Sequence, residues 1–504
     1  KCLNSFSVSV FFFHSFLVNF HKKSLMKMFY LIVFVLFSIT TKTQANQTDK
    51  NILIKNIEKN LSTYNKIALK IWEYAEVGFK EEKSSKELIT LLKENGFVIT
   101  KGVAGMPTAF IAEYGKGGPI IGILGEYDAL PGLSQTHNTI KEKRNGVVSG
   151  HGCGHNLFGV ASAAAAIATK NWLEETNTEG IIRFYGCPAE EGGSGKVYMV
   201  REGLFDDVDV VLHWHPSNKN RASSGSTLAN KTGKFRFYGT SAHAAGAPER
   251  GRSALDGLEA MNNMLNMMRE HVEEESRIHY IITKGGDAPN VVPNFAEGYY
   301  YVRNPSPEEV RKMWKRVELC AEGAAIGTQT KFSVEVTGGV YNILPNETLQ
   351  KIIHKNLSEI GGVFYTEKEK EYAEKLSFTF GENKKDISLA SVVEPYTFNS
   401  STRGGGSTDV GDVSWVVPTA GFGTATYVPG TPGHSWQAAS CTGTSIGLKG
   451  MLNAAKTLAL TTHALFKNTK LIDEAKKEFY KKRGLNYTYD PLIGERKPAL
   501  NYRN

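Results

Sequence analysis

The hydrophobic pattern changes period several times along the chain. Over 51–70, Ile and Leu recur at three- and four-residue spacing with Lys, Asn and Glu between them. That spacing predicts an amphipathic helix, which 72–76 extends or closely follows. A second helix is predicted over 83–95, closed by Gly96. Residues 97–100, 109–114 and 120–124 are apolar runs separated by Gly and Pro, and read as strands. An alanine-rich stretch over 157–173 predicts a helix, and 181–185 and 208–213 two more strands. Strands alternating with helices imply an α/β sandwich around a largely parallel sheet. In such sheets ligands bind at loops following the carboxyl ends of strands.

After Thr227 the texture shifts. An alternating strand (231–238), a long helix (253–271), two strands (277–283, 295–303), a helix (307–323) and a strand (331–336) give the order βαββαβ. This is the ferredoxin-like α+β unit, of about a hundred residues. It is expected to be an insertion, because α/β texture resumes after Gly339 with helices at 346–360, 367–376 and 448–466 and a polar loop at 381–391. The expected organisation is a catalytic α/β/α domain over 46–228 and 339–480, an inserted domain over 229–338, and a tail over 481–504.

Composition adds limits. The chain has 504 residues, 41% hydrophobic and 22% charged, ordinary for a globular protein. Its net charge of +8 is dispersed, and the one clear basic cluster, Lys476-Lys477 with Lys481-Lys482-Arg483, reads as a solvated helix face. No nucleic-acid partner is expected. Lys27, an apolar run from Phe29 to Phe37 and a small residue at Ala45 have the order of a secretory signal, too short for a comfortable membrane span. Translation would start at Met26 or Met28, the mature chain near Asn46, and the product would be exported without a membrane partner; an uncleaved anchor is the alternative. The five cysteines, Cys2, Cys153, Cys187, Cys320 and Cys441, are too irregularly spaced for a disulfide framework.

The chemistry-bearing residues sit in glycine-rich contexts. Cys153 and His155 stand two apart in His-Gly-Cys-Gly-His-Asn, where strand alternation would face them the same way. Glu190-Glu191 follows the strand at 181–185, between a Pro turn and two glycines. A metal hydrolase needs one carboxylate as ligand and another to take a proton from water, and neighbouring glutamates can divide those roles. His213-Trp-His215-Pro ends the next strand and offers either histidine. His434 lies in Thr-Pro-Gly-His-Ser-Trp. Together Cys153, His155, Glu191, one of His213 or His215, and His434 form an N, O, S set suited to zinc or manganese, with Glu190 left as base. Asp128 is placed to orient a ligand, with a turn-capping role as the alternative. In the inserted unit, His243 could polarise a substrate carbonyl. Asn290 and Arg303 could hold a carboxylate.

The set GEYDALPG, HGCGHN, the Glu-Glu pair before Gly-Gly, WHP, GTSAHA, PNVVP, STDVGDVSW and GTPGHSW resembles the aminoacylase/carboxypeptidase family of metal-dependent amidohydrolases. The resemblance spans nearly the whole mature chain. It implies two divalent ions, zinc or manganese, and an inserted lid that also forms a homodimer. The implied reaction is hydrolysis of the amide of an N-acyl amino acid (p-aminobenzoyl-glutamate-like) or small peptide. By position it makes Cys153, His155, Glu191 and His434 ligands, Glu190 the base and His243 the lid histidine. The WHP match favours His215, whereas some related hydrolases have their histidine nearer His213. Glu126 stands where wider relatives carry a metal-binding His, and Cys153 is expected to replace that ligand. A dipeptidase or carboxypeptidase, or a non-catalytic exported binding protein on the same fold, is the alternative. A thiol redox protein lacks a Cys-x-x-Cys partner.

Overall fold

The computed structural model describes residues 47–223, 225–398 and 406–503. The expected leader and start sites at Met26 or Met28 lie outside them. The chain divides into units Lys1–Lys55 and Asn56–Asn504. The described part of the first, 47–55, is helical; the second carries everything below.

Its larger sheet has six strands, ordered Val98–Lys101, Phe110–Lys116, Gly180–Cys187, Ile120–Glu126, Val210–Ser217, Thr419–Ala425. The last four run parallel, and the first two join antiparallel. The expected parallel α/β sheet is therefore its inner and far part. Thr419–Ala425 escapes the hydrophobic pattern because it reads Thr-Ala-Gly-Phe-Gly-Thr-Ala, poor in branched residues. Its Gly421 has a structural cause: a Cβ there would lie 2.2 Å from the His213 ring.

Two long helices cover one region of the sheet. His155–Thr176 is buried along most of its length, and its alanines let it lie close. A Cβ on Gly125 would come within 3.3 Å of Gly159 Cα, and one on Gly159 within 2.7 Å of the Glu126 carbonyl. Both glycines therefore permit the helix–strand approach that places the helix N-terminus at the strand ends. Ser445–Lys467 packs beside it, joined by a Thr169–Thr462 hydroxyl bond of 2.7 Å and an edge-on Trp172–His463 contact. The helix predicted over 51–70 is interrupted by a turn at Asn60 and resumes as Leu61–Tyr74.

Residues from Ala229 to Val340 form a second sheet, antiparallel throughout, ordered Lys331–Val340, Ala229–Tyr238, Phe295–Asn304, Arg277–Lys284. Helices Ala254–Met268 and Pro307–Thr328 cover it around a core of Phe235, Phe237, Leu258, Met261, Trp314 and Val317.

The basic cluster lies on helix Lys470–Arg483, and it is only partly a solvated face. Lys476 pairs with Asp209, and Arg483 stacks over Phe479. On the same helix, Glu478 accepts from the backbone N–H groups of Glu347 (2.7 Å) and Thr348 (2.9 Å), the Thr348 hydroxyl and Lys482. It thus caps helix Glu347–Ile360 against the positive end of its dipole. Burial alone would raise this carboxyl, but the bonds from Lys482, Thr348 and the two backbone donors hold it at about 2. Because the folded pKa is depressed, the stabilisation is present above the unfolded value of 4.5 and is lost as pH falls towards 2. Glu478→Gln is expected to cost about 1–2 kcal/mol at neutral pH, after allowance for solvent screening. The gap between variant and wild type in denaturant titrations should close across that acid window.

Candidate active site

The Ser149–Gly150 strand pairs with Leu130–Pro131 in a short ribbon, after which the chain turns through Gly152, Cys153 and Gly154 into the helix beginning at His155. Gly154 has φ +78, and a Cβ there would meet Pro216 Cβ at 2.6 Å. Cys153 and His155 are thus brought together by a left-handed turn at a helix start, not by strand alternation as the spacing suggested. The reason is that Gly154 tolerates a conformation that ends the extended chain. His151 points away, with Nε2 3.0 Å from the Ile71 carbonyl.

Around this turn four further elements converge. His215 Nε2 lies 3.3 Å from Cys153 Sγ, while its Nδ1 donates to the Pro216 carbonyl at 2.7 Å. That bond fixes the tautomer and leaves the Nε2 lone pair facing the thiol. Burial lowers His215 to about 4, so the ring is neutral. His213 packs over Gly421 and is not grouped with these ligand atoms. His155 Nδ1 is 2.8 Å from Asp128 Oδ1, and Asp128 Oδ2 accepts from the Glu191 backbone N–H at 2.9 Å. Asp128 therefore orients one candidate ligand by its side chain and another by its backbone. His434 adopts φ +51, rare for a residue with a Cβ, and its Nε2 lies 3.5 Å from Glu191 Oε1.

The glutamate pair sits on an irregular turn after strand Gly180–Cys187, with Ala189 at φ +57 and Gly192 at φ +97. A buried carboxylate absent from the motif reading, Glu81, holds this turn by accepting from the Ala189 N–H at 2.8 Å and the Thr108 hydroxyl at 3.0 Å. Burial, then the nearby Asp128 carboxylate, push Glu81 up to about 8. Glu190 is half-buried, and burial followed by the charges of Glu126 and Glu191 raises its carboxyl well above the usual range.

Beneath the cluster lies a second feature missed from sequence. Lys196 is fully buried, 2.5 Å from Glu126 and 2.8 Å from Asp409, which also accepts from the Lys196 backbone N–H. Glu126 turns its other oxygen to His155 Nε2 at 3.1 Å. A signal was present: Lys196 is the sole cation heading an otherwise apolar run, Val-Tyr-Met-Val, all of it buried.

These groups open into a cavity of about 730 Å³ whose far wall comes from the second sheet, including Asn230, Tyr301 and Arg303. Arg303, predicted as a carboxylate holder, lines it. His243 and Asn290 do not; both are exposed, and the His243 ring accepts from the Ala245 and Gly246 N–H groups. The register explains this. Arg303 pairs with Asn230, whereas His243 follows Tyr238 at the opposite strand end, about 26 Å along.

The donor set fits divalent cations. Cys153, His155 and His215 offer ligand atoms within 4.8 Å of one another, as do Cys153, Glu191 and His434, and Glu126, His155 and Glu190, so Cys153 belongs to two of the three groups. Glu126 Oε2 and His155 Nε2, though 3.1 Å apart, and Glu191 Oε1, 3.5 Å from His434, are buried with no contact that has hydrogen-bond geometry. Orphaned acceptors of this kind are expensive unless a cation satisfies them. Burial disfavours the His155 cation, yet Cys153, Glu126 and Asp128 raise its pKa well above the ordinary value, so the surroundings call for positive charge here. Burial pushes the Cys153 thiol up, so ligation there would release a proton.

Residues 122–433 match peptidase family M20/M25/M40. The chain is 42% identical over 447 residues to a p-aminobenzoyl-glutamate hydrolase polypeptide of Escherichia coli K12, covering 84% of this chain and 93% of the relative. It is 30% identical to the mouse Xaa-Arg dipeptidase, over 81% and 87% of the two chains. Among solved structures, an aminobenzoyl-glutamate utilization protein from Klebsiella pneumoniae shares the fold, with TM-score 0.57, 17% identity and coverage of 81% and 97%. A Bacillus subtilis protein described as a dinuclear metal-binding peptidase superposes with TM-score 0.54 and 16% identity, covering 81% and 99%. The two triads meeting at Cys153 and the span of these matches lead to one conclusion: the chain belongs to the M20/M25/M40 peptidases, hydrolases of amide bonds.

Proposed function

We propose that this protein hydrolyses the amide of an N-acyl amino acid, of the p-aminobenzoyl-glutamate kind, using two zinc or manganese ions. The observation that carries the reading is the pair of ligand triads sharing Cys153, with Glu190 beside them and Arg303 across one cavity. Cys153, His155, Glu191, His215 and His434 would hold the ions, with Asp128 orienting His155 and Glu191. When bound, the ions supply Lewis acidity towards the scissile carbonyl and the attacking water. Arg303 holds the carboxylate of the substrate's amino-acid portion through its paired N–H donors. Glu190 takes the proton from water and passes it to the departing amine, a task its place on the cavity wall beside the triads allows.

The segment 229–338 acts in this reading as a lid over the catalytic domain. His243 lies too far from its own cavity to donate to the oxyanion, so it serves the cavity of a second copy in a homodimer. The edge strand Arg277–Lys284, with Ile281 and Ile282 exposed, is the surface offered for that pairing. Export by the apolar leader belongs to the same proposal and rests on sequence pattern alone. A dipeptidase preference is the second reading, favoured by the dipeptidase relative.

The test combines activity and metal content. Protein loaded with zinc or manganese should bind two ions per chain and hydrolyse members of a panel of N-acyl amino acids and dipeptides. Cys153→Ala should lose at least one of the two ions by elemental analysis, because its thiolate joins both triads. Full metal content in that variant would sink the shared-ligand arrangement.

A further inference from the structure

Beyond helix Lys470–Arg483 the chain forms no further regular element among the described residues, yet it is anchored at many points. Leu492 is buried in the core of the second sheet and its neighbour Ile493 in the core beside Tyr185 and Val211 of the first. Tyr489 donates to Asp412 at 2.7 Å, and Arg201 donates to the carbonyls of Gly494 and Arg496. The strap then reaches the glutamate turn. The Tyr502 hydroxyl donates to the Glu191 carbonyl at 3.2 Å and Arg503 Nη2 to the same oxygen at 2.5 Å. Tyr502 also packs edge-on against Phe79.

Arg503 lines the same cavity as Arg303. Both side chains keep a buried Nε without a hydrogen-bond acceptor. No carboxylate among the described residues lies within ion-pair distance of either guanidinium. Both act on the Tyr301 phenol, opposing the burial that raises its pKa, which places the two positive charges in one neighbourhood. Two guanidinium groups lining one cavity with no carboxylate partner among the described residues make it a favourable place for an anion. Each offers a planar fork of donors matched to a carboxylate.

We infer that Arg503, carried to the cavity by this strap, binds a second substrate carboxylate beside the one held by Arg303, so that the site selects an acidic amino-acid portion such as an N-acyl glutamate. The inference rests on the amidohydrolase reading for its substrate and on the cavity alone for its anion chemistry.

The test compares one acyl group joined to Glu, Ala or Arg, in wild type, Arg503→Gln and Arg503→Lys. Gln keeps an amide donor for the Glu191 carbonyl while removing the charge. For the glutamate substrate, Arg503→Gln is expected to lower kcat/KM roughly ten- to hundredfold, mainly through KM, the range of a charge-assisted contact. The alanine substrate should change less than about threefold, and Arg503→Lys should recover part of the loss. An equal loss on all three substrates, or none on the glutamate substrate, overturns the inference. Calorimetry with glutarate and butyrate provides an arm independent of turnover. Wild type should bind glutarate at least about tenfold more tightly, and Arg503→Gln should erase the difference; equal affinities in wild type overturn the inference. Absence of any amide hydrolysis with Arg503-dependent glutarate binding would remove the amidohydrolase reading and leave the anion site standing.

Discussion

Glu190→Gln is expected to lower kcat by about a thousandfold, within the range general acid–base groups contribute, while both metal ions stay bound. The substitution keeps the size and planarity of the side chain and removes only its ability to accept a proton. Glu190 is suited to that role by place: it follows the Ala189 turn pinned by Glu81, opens into the cavity, and has no hydrogen bond to its side chain among the described residues. Glu191, one residue on, points Oε1 at His434, consistent with the proposed division of the pair between proton transfer and ligation. Steady-state kinetics with elemental analysis of the same preparation checks the expectation. A kcat within tenfold of wild type at full metal content would remove Glu190 from the mechanism.

The second large effect concerns stability. Lys196→Met should destabilise the fold by about 3–5 kcal/mol, the usual cost of removing one member of a buried ionic group. The ammonium sits between Glu126 and Asp409 with no exposed surface, and the two carboxylates would be left facing each other across a methyl group. Adding Asp409→Asn should restore part of the loss, since it removes one of the stranded charges. Chemical denaturation of the metal-free proteins separates this from metal binding. A difference below about 1 kcal/mol would show that the carboxylates take up protons at little cost.

How much was legible in advance follows the range of the forces involved. Local periodicity gave the helix beginning at His155 and the strands 120–124 and 181–185 to within a few residues of their observed ends, because helix and strand faces repeat at short spacing. Thr419–Ala425 was not legible: its composition answers to the His213 ring above Gly421, a neighbour two hundred residues earlier. Spacing alone leaves His213 and His215 open and only the WHP resemblance favours His215, whose Nε2 the fold turns to Cys153 while Nδ1 bonds the Pro216 carbonyl. Lys196 left only a faint trace, a single cation in an apolar run, and Arg503 left none.

The sequence by itself determined the residue types of the candidate centre, the glycines that let the chain turn there, and the alternation that builds an α/β sheet. These are matters of backbone freedom, side-chain chemistry and local period, all carried by adjacent residues. Only the tertiary structure decided which of those residues meet. It brought His434 to Glu191 across more than two hundred positions, made Cys153 common to two triads, left His243 at the far end of its sheet, and set Arg503 against the Glu191 carbonyl at the cavity wall. Such meetings follow from burial and strand register, which act between segments distant in sequence and leave no period to read.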